Sequence, residues 1–424
     1  MATSTHMTTE LPPHRPLNAR VIFAVVIWAA LLVVGLQGLY DRLAFVSLRT
    51  DLGSWIPWGL WVASYIWFIG LSAGAFLLST LVYVFGMKQL ERVAPLALFV
   101  ALVTLIMALL MIAFDVGHMG RLIEVWYRGN PHSMMAWMGW LYISYFVLLV
   151  IETYFVLRGA LVLRRARPGL TGVVARLLTG GRSAPLTETE VRRDRRVVMI
   201  FGGIGIPLAF AFHGGVGALF ATVDARDVWH TGLYPVLFLS GAFFSGGALF
   251  TGLVAFFWPN RDDAWRTTVR LLGRVTLGLL LLEALFEWAD LSVPMWYGVG
   301  QEVGELHYMM AGPFWWVFWI VQIGLGLALP ALLLFFGSRS PRIIGTAGLL
   351  AATAFLGARL NLVLPGLNTP ELTNLQLSYH DGRLLYHYAP TWSEWELVLF
   401  IIALGIALYT IGVRVLPVLG RDGE

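Results

Sequence analysis

Residues 93–121 read VAPLALFVALVTLIMALLMIAFDVGHMGR, and this stretch decides the fold. From Val93 to Val116 it is apolar apart from Thr104 and Asp115. About 20 such residues are what a helix needs to cross the hydrocarbon core of a bilayer, and a helix satisfies its backbone hydrogen bonds internally. The stretch ends in Asp115, His118 and Arg121, spaced three apart. Ionisable groups at the end of a span are costly in lipid, so they face protein, water or a ligand. If the helix continues, this spacing sets Asp115 beside His118 and His118 beside Arg121. An acid, a titratable imidazole and a fixed cation suit a proton-coupled reaction on a polar head group. A helix end reaching for lipid headgroups uses the same residue types.

Working outward, the pattern repeats along the chain. Of its 424 residues 58% are hydrophobic and 13% charged, against roughly 25% charged in a soluble domain. An apolar run from Arg20 to Tyr40 precedes it, and further spans are expected at 57–85, 135–163, 197–223, 233–258, 267–290, 308–336, 343–364 and 393–416. The fold class is therefore all-α, a polytopic membrane bundle of about ten transmembrane helices. A β-barrel would show alternating strands of about ten residues instead. Residues 1–19 read as a disordered tail, 20–418 as one membrane domain with a basic loop at 164–196, and 419–424 as a C-terminal tail. There are no cysteines, so the chain carries no disulfide, thiolate iron–sulfur cluster or cysteine zinc site.

The formal charge of +4 reflects topology rather than nucleic-acid binding. Arg164, Arg165, Arg167, Arg176, Arg182, Arg192, Arg193, Arg195 and Arg196 share one loop, and Lys88, Arg92, Arg261, Arg266, Arg339 and Arg342 fall on the same side. By the positive-inside rule both termini are expected in the cytoplasm; anionic lipid is a further partner for such a loop. Asp115 with His118, Glu287 with Asp290, and Arg359 with Asn361 then lie near the outer face. His213 is roughly 15 Å inside it, Glu283 is one turn inward of Glu287, and Glu152 lies past the midplane. Tryptophans crowd the outer helix ends, including Trp58, Trp61, Trp229, Trp288, Trp296, Trp315 and Trp316. An aromatic belt decorates both interfaces, so a docking surface or ligand pocket is expected outside. Gly70 and Gly74 form a close-approach pair, and no phosphate-binding glycine motif is present. Of nine histidines, His213 alone is well inside a span. A haem would need it to face His118, whose neighbours Asp115 and Arg121 better suit a proton-exchanging ligand. His213 also fits a histidine hydrogen-bonded within the bundle.

Several segments together resemble the NrfD/PsrC family, with the HybB-like ten-helix branch nearest. They are PWGLW (57–61), YIWFIGLSAGAF (65–76), FDVGHMGR (114–121), HGGVGALF (213–220) and PTWSEWE (390–396). The resemblance implies a cofactor-free, quinone-reactive membrane anchor of a prokaryotic respiratory oxidoreductase in the inner membrane, with no haem or iron–sulfur cluster of its own. It also implies a ferredoxin-like four-cluster iron–sulfur subunit, docked outside, that connects to a molybdopterin or nickel–iron catalytic subunit. Menaquinone or ubiquinone would exchange electrons with that iron–sulfur protein near the outer ends of the second to fifth helices. On this expectation His118 and Tyr65 bond a quinone carbonyl, with Asp115 orienting the imidazole and Arg121 beside it. Glu283, His213 and Glu152 pass protons, and Arg359 holds a carboxylate ionised. The hydrogenase-type subunits carry arginine near the place of His118, and Tyr65 is shifted against an acidic residue. A secondary transporter, which would show internal repeats and broken midplane helices, and a purely structural anchor are the alternatives.

Overall fold

The computed structural model describes residues 19–419 except 183, 299–300, 373, 379–380 and 382–383. The terminal tails expected from the sequence fall outside the described residues, apart from 19 and 419. Ten long helices carry the fold: α1 (Ala19–Phe45), α2 (Leu60–Tyr83), α3 (Ala94–Asp115), α4 (Met134–Arg164), α5 (Glu188–Ala221), α6 (Tyr234–Phe257), α7 (Asp263–Tyr297), α8 (Val317–Phe336), α9 (Pro341–Asn368) and α10 (Trp392–Val415). Among the described residues, nine of them are long and apolar enough to cross a membrane, and α7 is the exception. It is 35 residues long, but Arg270, Arg274, Glu283, Glu287 and Asp290 interrupt its apolar run. No strand occurs among the described residues. The chain is a multi-pass helical membrane protein, as the apolar runs predict.

The helices pack as two neighbouring groups of four. Helices α2, α3, α4 and α5 contact one another in a ring, α6 joins α7 and α9, and α9 carries α8. Contacts of α2 with α6 and α9 join the groups, while α1 pairs with α10 and α10 lies on α3. Small residues make the central seam possible. A Cβ on Gly74 would stand 2.6 Å from the Ala242 carbonyl oxygen and 2.7 Å from Gly246 Cα, so the expected close approach falls between α2 and α6.

Several boundaries differ from the hydropathy reading. The charged start of α5 is helical from Glu188, because Thr187 and Glu190 form a reciprocal capping box that satisfies the first backbone donors. At this arginine-rich end Arg158 reaches Asp194 at 2.8 and 3.0 Å and Glu190 pairs with Arg182, so α4 and α5 are clamped together beyond their apolar parts. The expected eighth span is broken: Gln301–Ala311 is a separate helix, and α8 opens with a π-helical stretch, Val317–Ala328. Such stretches are rare and often mark functional positions.

Candidate functional site

Helix α3 ends at Asp115, and Val116 leaves it in an extended conformation. The continued helix expected through Arg121 therefore does not form. His118 instead caps a short 3-10 turn, Met119–Arg121. His118 and Arg121 are exposed, and with Arg42, Leu43, Val46 and Gly117 they line an open cavity of about 270 Å³. The turn is held from α1. Buried Arg42 donates from Nε to the Phe114 carbonyl and from Nη2 to the Val116 carbonyl at 2.8 Å. These carbonyls have no partner within the helix, and a guanidinium satisfies two at once while complementing the negative end of the helix dipole.

Asp115, the last residue of α3, lies within electrostatic reach of Arg42, Tyr65 and Glu394. Tyr65 is in turn within electrostatic reach of Tyr142 of α4. Tyr65 and Asp115 are thus within electrostatic reach of each other, while His118 and Arg121 form the outer lip of the cavity. Behind them lies a rigid brace. Tyr388 Oη accepts from Leu60 N at 2.7 Å, the first backbone donor of α2, and donates to Glu394 at 2.5 Å. Glu394 also closes a capping box with Thr391, and Trp61 Nε1 donates to its backbone carbonyl at 3.2 Å. A Cβ on Gly59 would overlap Tyr388 Oη. The PWGLW and PTWSEWE segments therefore meet and support the site from behind. Trp58 and Trp229 belong to the same packing, stacked 5.8 Å apart, so part of the tryptophan excess at this end is structural.

His213 lies deeper and is 2% exposed. Its Nδ1 faces the Ala209 carbonyl at 3.0 Å and its Nε2 the Ile69 carbonyl at 3.1 Å. Both ring nitrogens are thus turned to backbone carbonyls, while His118 lines the exposed cavity. An imidazole donates to one of these carbonyls and an imidazolium to both, so the ring can gain a proton without turning.

Glu283 and Arg359 occupy the second group of helices, apart from Asp115. Glu283 accepts from Ser240. A Cβ on Gly241 would meet Arg359 Nη2 at 2.6 Å and Glu283 Oε1 at 2.7 Å, which sets the two charges over the same glycine. The Arg359 guanidinium lies between Phe238 and Phe355, 4.8 and 4.6 Å from the ring centroids. Asn361 donates to Gln322 of the π-helical stretch at 2.7 Å. Arg359 is within electrostatic reach of His213, whose own hydrogen-bond partners lie on α5 and α2. Outside the spans, Glu305 accepts from Val228 N at 3.0 Å, and burial pushes its carboxyl up to about 7. Arg42, Tyr142, Tyr388 and Glu394 are not among the residues expected from the sequence. Only the Thr391-x-x-Glu394 spacing announces one of them, as a helix start.

Residues 50–371 match the family model described as Polysulphide reductase, NrfD. The chain is 35% identical to a selenate reductase subunit of Mesobacillus selenatarsenatis, over 92% of this chain and 93% of the relative. It is 26% identical to an Hdr-like menaquinol oxidoreductase integral membrane subunit of Archaeoglobus fulgidus, over 90% and 86%. It is 24% identical to the probable Ni/Fe-hydrogenase 2 b-type cytochrome subunit of Escherichia coli, over 96% and 95%. The expected HybB likeness is present, and the likeness to the selenate reductase protein is greater.

Proposed function

The chain belongs to the NrfD polysulphide reductase family, and on that premise we propose that it is the quinone-reactive membrane subunit of a respiratory oxidoreductase complex. The observation that carries this reading is the end of α3. A carboxyl at the helix end, with a tyrosine in its electrostatic reach, lies two residues from an open cavity whose lip supplies an imidazole and a guanidinium. A quinone offers two carbonyl oxygens that become hydroxyls on reduction, so it needs hydrogen-bond donors and a nearby group able to exchange protons. His118 and Arg121 are placed to donate to the carbonyl nearer the surface. On this reading Tyr65 and Asp115 bond the deeper one and give or take its proton. Arg42 fixes the turn that carries all of these groups.

The names of the relatives support a quinone, menaquinone in particular, and a multi-subunit reductase. Because the chain has no cysteine, thiolate-held iron–sulfur clusters belong to a partner. That partner is a ferredoxin-like iron–sulfur subunit, linked to a molybdopterin or nickel–iron catalytic subunit and docked on the tryptophan-rich face beside the cavity. The arginine-rich end faces the cytoplasm of a prokaryotic cell. The two nitrogens of His213, each turned to a backbone carbonyl, speak against a haem in this chain.

The test is turnover of a quinol analogue by the complex purified from its native membrane, wild type against Asp115→Asn, with iron content measured in both. The proposal expects unchanged iron and turnover lower by about 100-fold. Equal turnover in the two proteins would overturn it.

A further inference from the structure

Between α4 and α5 the chain forms a further helix, Leu170–Leu178, that the quinone site does not use. α4 runs past buried Glu152 to Arg164 at the arginine-rich end. Pro168 and Gly169, the latter with a φ of 78°, then turn the chain, because proline does not continue a helix and glycine accepts a positive φ. Gly180 and Gly181, at 62° and 72°, close the other end, where Gly181 N donates to the Arg176 carbonyl at 2.8 Å. Arg176 Nη1 donates to the Arg165 carbonyl at 3.0 Å, and Arg165 donates to that of Arg182. A Cβ on Gly172 would stand 1.9 Å from the Arg167 carbonyl oxygen. The short helix is thus folded tightly onto its own approach, and it packs on α4 and α10.

Its patterning is the reverse of a helix that meets water on its outer side. The inward positions are small, with Gly172 and Ala175 buried, while Leu170, Val173, Leu177 and Leu178 are exposed, Leu177 at 75%. Leu170, Val173 and Leu177 are spaced i, i+3, i+7 and so share one face. Leu163 in the last turn of α4 is exposed as well. A short helix with leucines outward and arginines beside them is built to lie in the plane of a membrane interface, its apolar face toward the acyl chains.

The charge around it selects the lipid. Residues 164–196 hold nine arginines against Glu188, Glu190 and Asp194, and these carboxylates are already paired with Arg192, Arg182 and Arg158. Arg176, Arg195 and Arg196 are exposed and make no ion pair among the described residues. The same holds for Arg414 at the end of α10. The positive-inside rule accounts for arginines in a loop, but not for leucines set outward among them. We propose that the short helix lies in the bilayer interface and that the guanidinium groups around it, Arg176 and Arg414 foremost, bind the phosphates of anionic phospholipid whose acyl chains cover Leu170, Val173 and Leu177. A guanidinium presents a fork of donors that matches a phosphate, and an anionic lipid brings the net charge that a zwitterionic one lacks. The inference rests on the membrane fold alone and is independent of the quinone reading.

Two measurements on the protein purified from its native membrane, with the subunits that accompany it, test the proposal. In the first, lipid-depleted protein receives equal amounts of phosphatidylglycerol and phosphatidylcholine, and native mass spectrometry counts the lipid retained. Wild type is expected to prefer phosphatidylglycerol, and Arg176→Gln and Arg414→Gln to lower the preference by about fivefold each. Arg176→Lys, which keeps the charge, is expected to retain most of it, and size-exclusion profiles confirm that the variants assemble. In the second, a nitroxide is attached to Leu177→Cys, in a chain that has no cysteine of its own, with wild type treated alike as background. In vesicles, oxygen, which concentrates among acyl chains, is expected to relax the label more strongly than a water-soluble nickel complex. Equal retention of the two lipids by wild type, or an unchanged preference in both glutamine variants, would overturn the proposal. So would stronger relaxation by nickel, which sets the leucine in water, or access by neither reagent, which sets it beneath another protein.

Discussion

Arg42 gives the sharpest structural prediction. Its side chain is 4% exposed, and it makes two hydrogen bonds, to the carbonyls of Phe114 and Val116. Arg42→Ala removes both and leaves two helix-end carbonyls without a partner. A hydrogen bond from a charged donor contributes about 1.5–3 kcal/mol, so the expected loss for the two is about 3–6 kcal/mol. Arg42→Lys keeps the charge but not the planar fork; an ammonium reaches one of the carbonyls well, and about half the loss is expected. Unfolding in a titration of denaturing detergent measures both variants against wild type. Because the same turn carries Asp115 and His118, quinol turnover is expected to fall in the order wild type, Lys, Ala. An Arg42→Ala protein within about 0.5 kcal/mol of wild type, the scatter of ordinary surface changes, would refute the claim that this guanidinium holds the site together.

Two further outcomes follow from the supporting structure. Gly59→Ala sets a Cβ on top of Tyr388 Oη and must displace that ring from Leu60 N and Glu394. A loss of about 3 kcal/mol is expected from overpacking and the broken bonds, measurable in the same detergent titration. Glu305, outside the spans, has its carboxyl raised by burial from 4.5 to about 7. The folded state then holds a proton that the unfolded chain has released between these values, so stability is greatest below about 4.5 and falls as pH rises toward 7. Up to about 3 kcal/mol is involved at 1.36 kcal/mol per unit. Thermal unfolding of Glu305→Gln should lose that part of the pH dependence, and a Gln variant with the wild-type slope would exclude it.

The helical membrane class is legible because apolar runs of spanning length report directly on lipid burial, which no tertiary context reverses. The seventh helix is legible in the same way, although its glutamates and arginines deny it the hydropathy of the other spans. Asp115 stands out in the sequence because an ionisable group at a span end is costly in lipid. Spacing misleads on the relation of Asp115 to His118: it shows where residues lie only while the helix lasts, and the turn at Val116 depends on Arg42, far away in the sequence. Arg42 itself looks like a topological charge, since nothing near it in the chain shows that it caps another helix. Glu283 and Arg359 read together with Asp115 because they lie at a similar depth, and depth does not reveal that α7 and α9 belong to the second group of helices. Glu394 is visible as a capping residue, but its contact with Tyr388 and Trp61 requires the folded chain.

The most direct test of the central claim is to locate the quinone itself. The complex is illuminated with a photoreactive azidoquinone, with and without excess native quinone, and the labelled peptides of this chain are identified by mass spectrometry. The quinone reading predicts competed labelling on the end of α3 and the start of α2, within 111–121 and 60–69. Competed labelling confined to α7 and α9 around Glu283 and Arg359 would contradict it, and would move the reaction to the other group of helices.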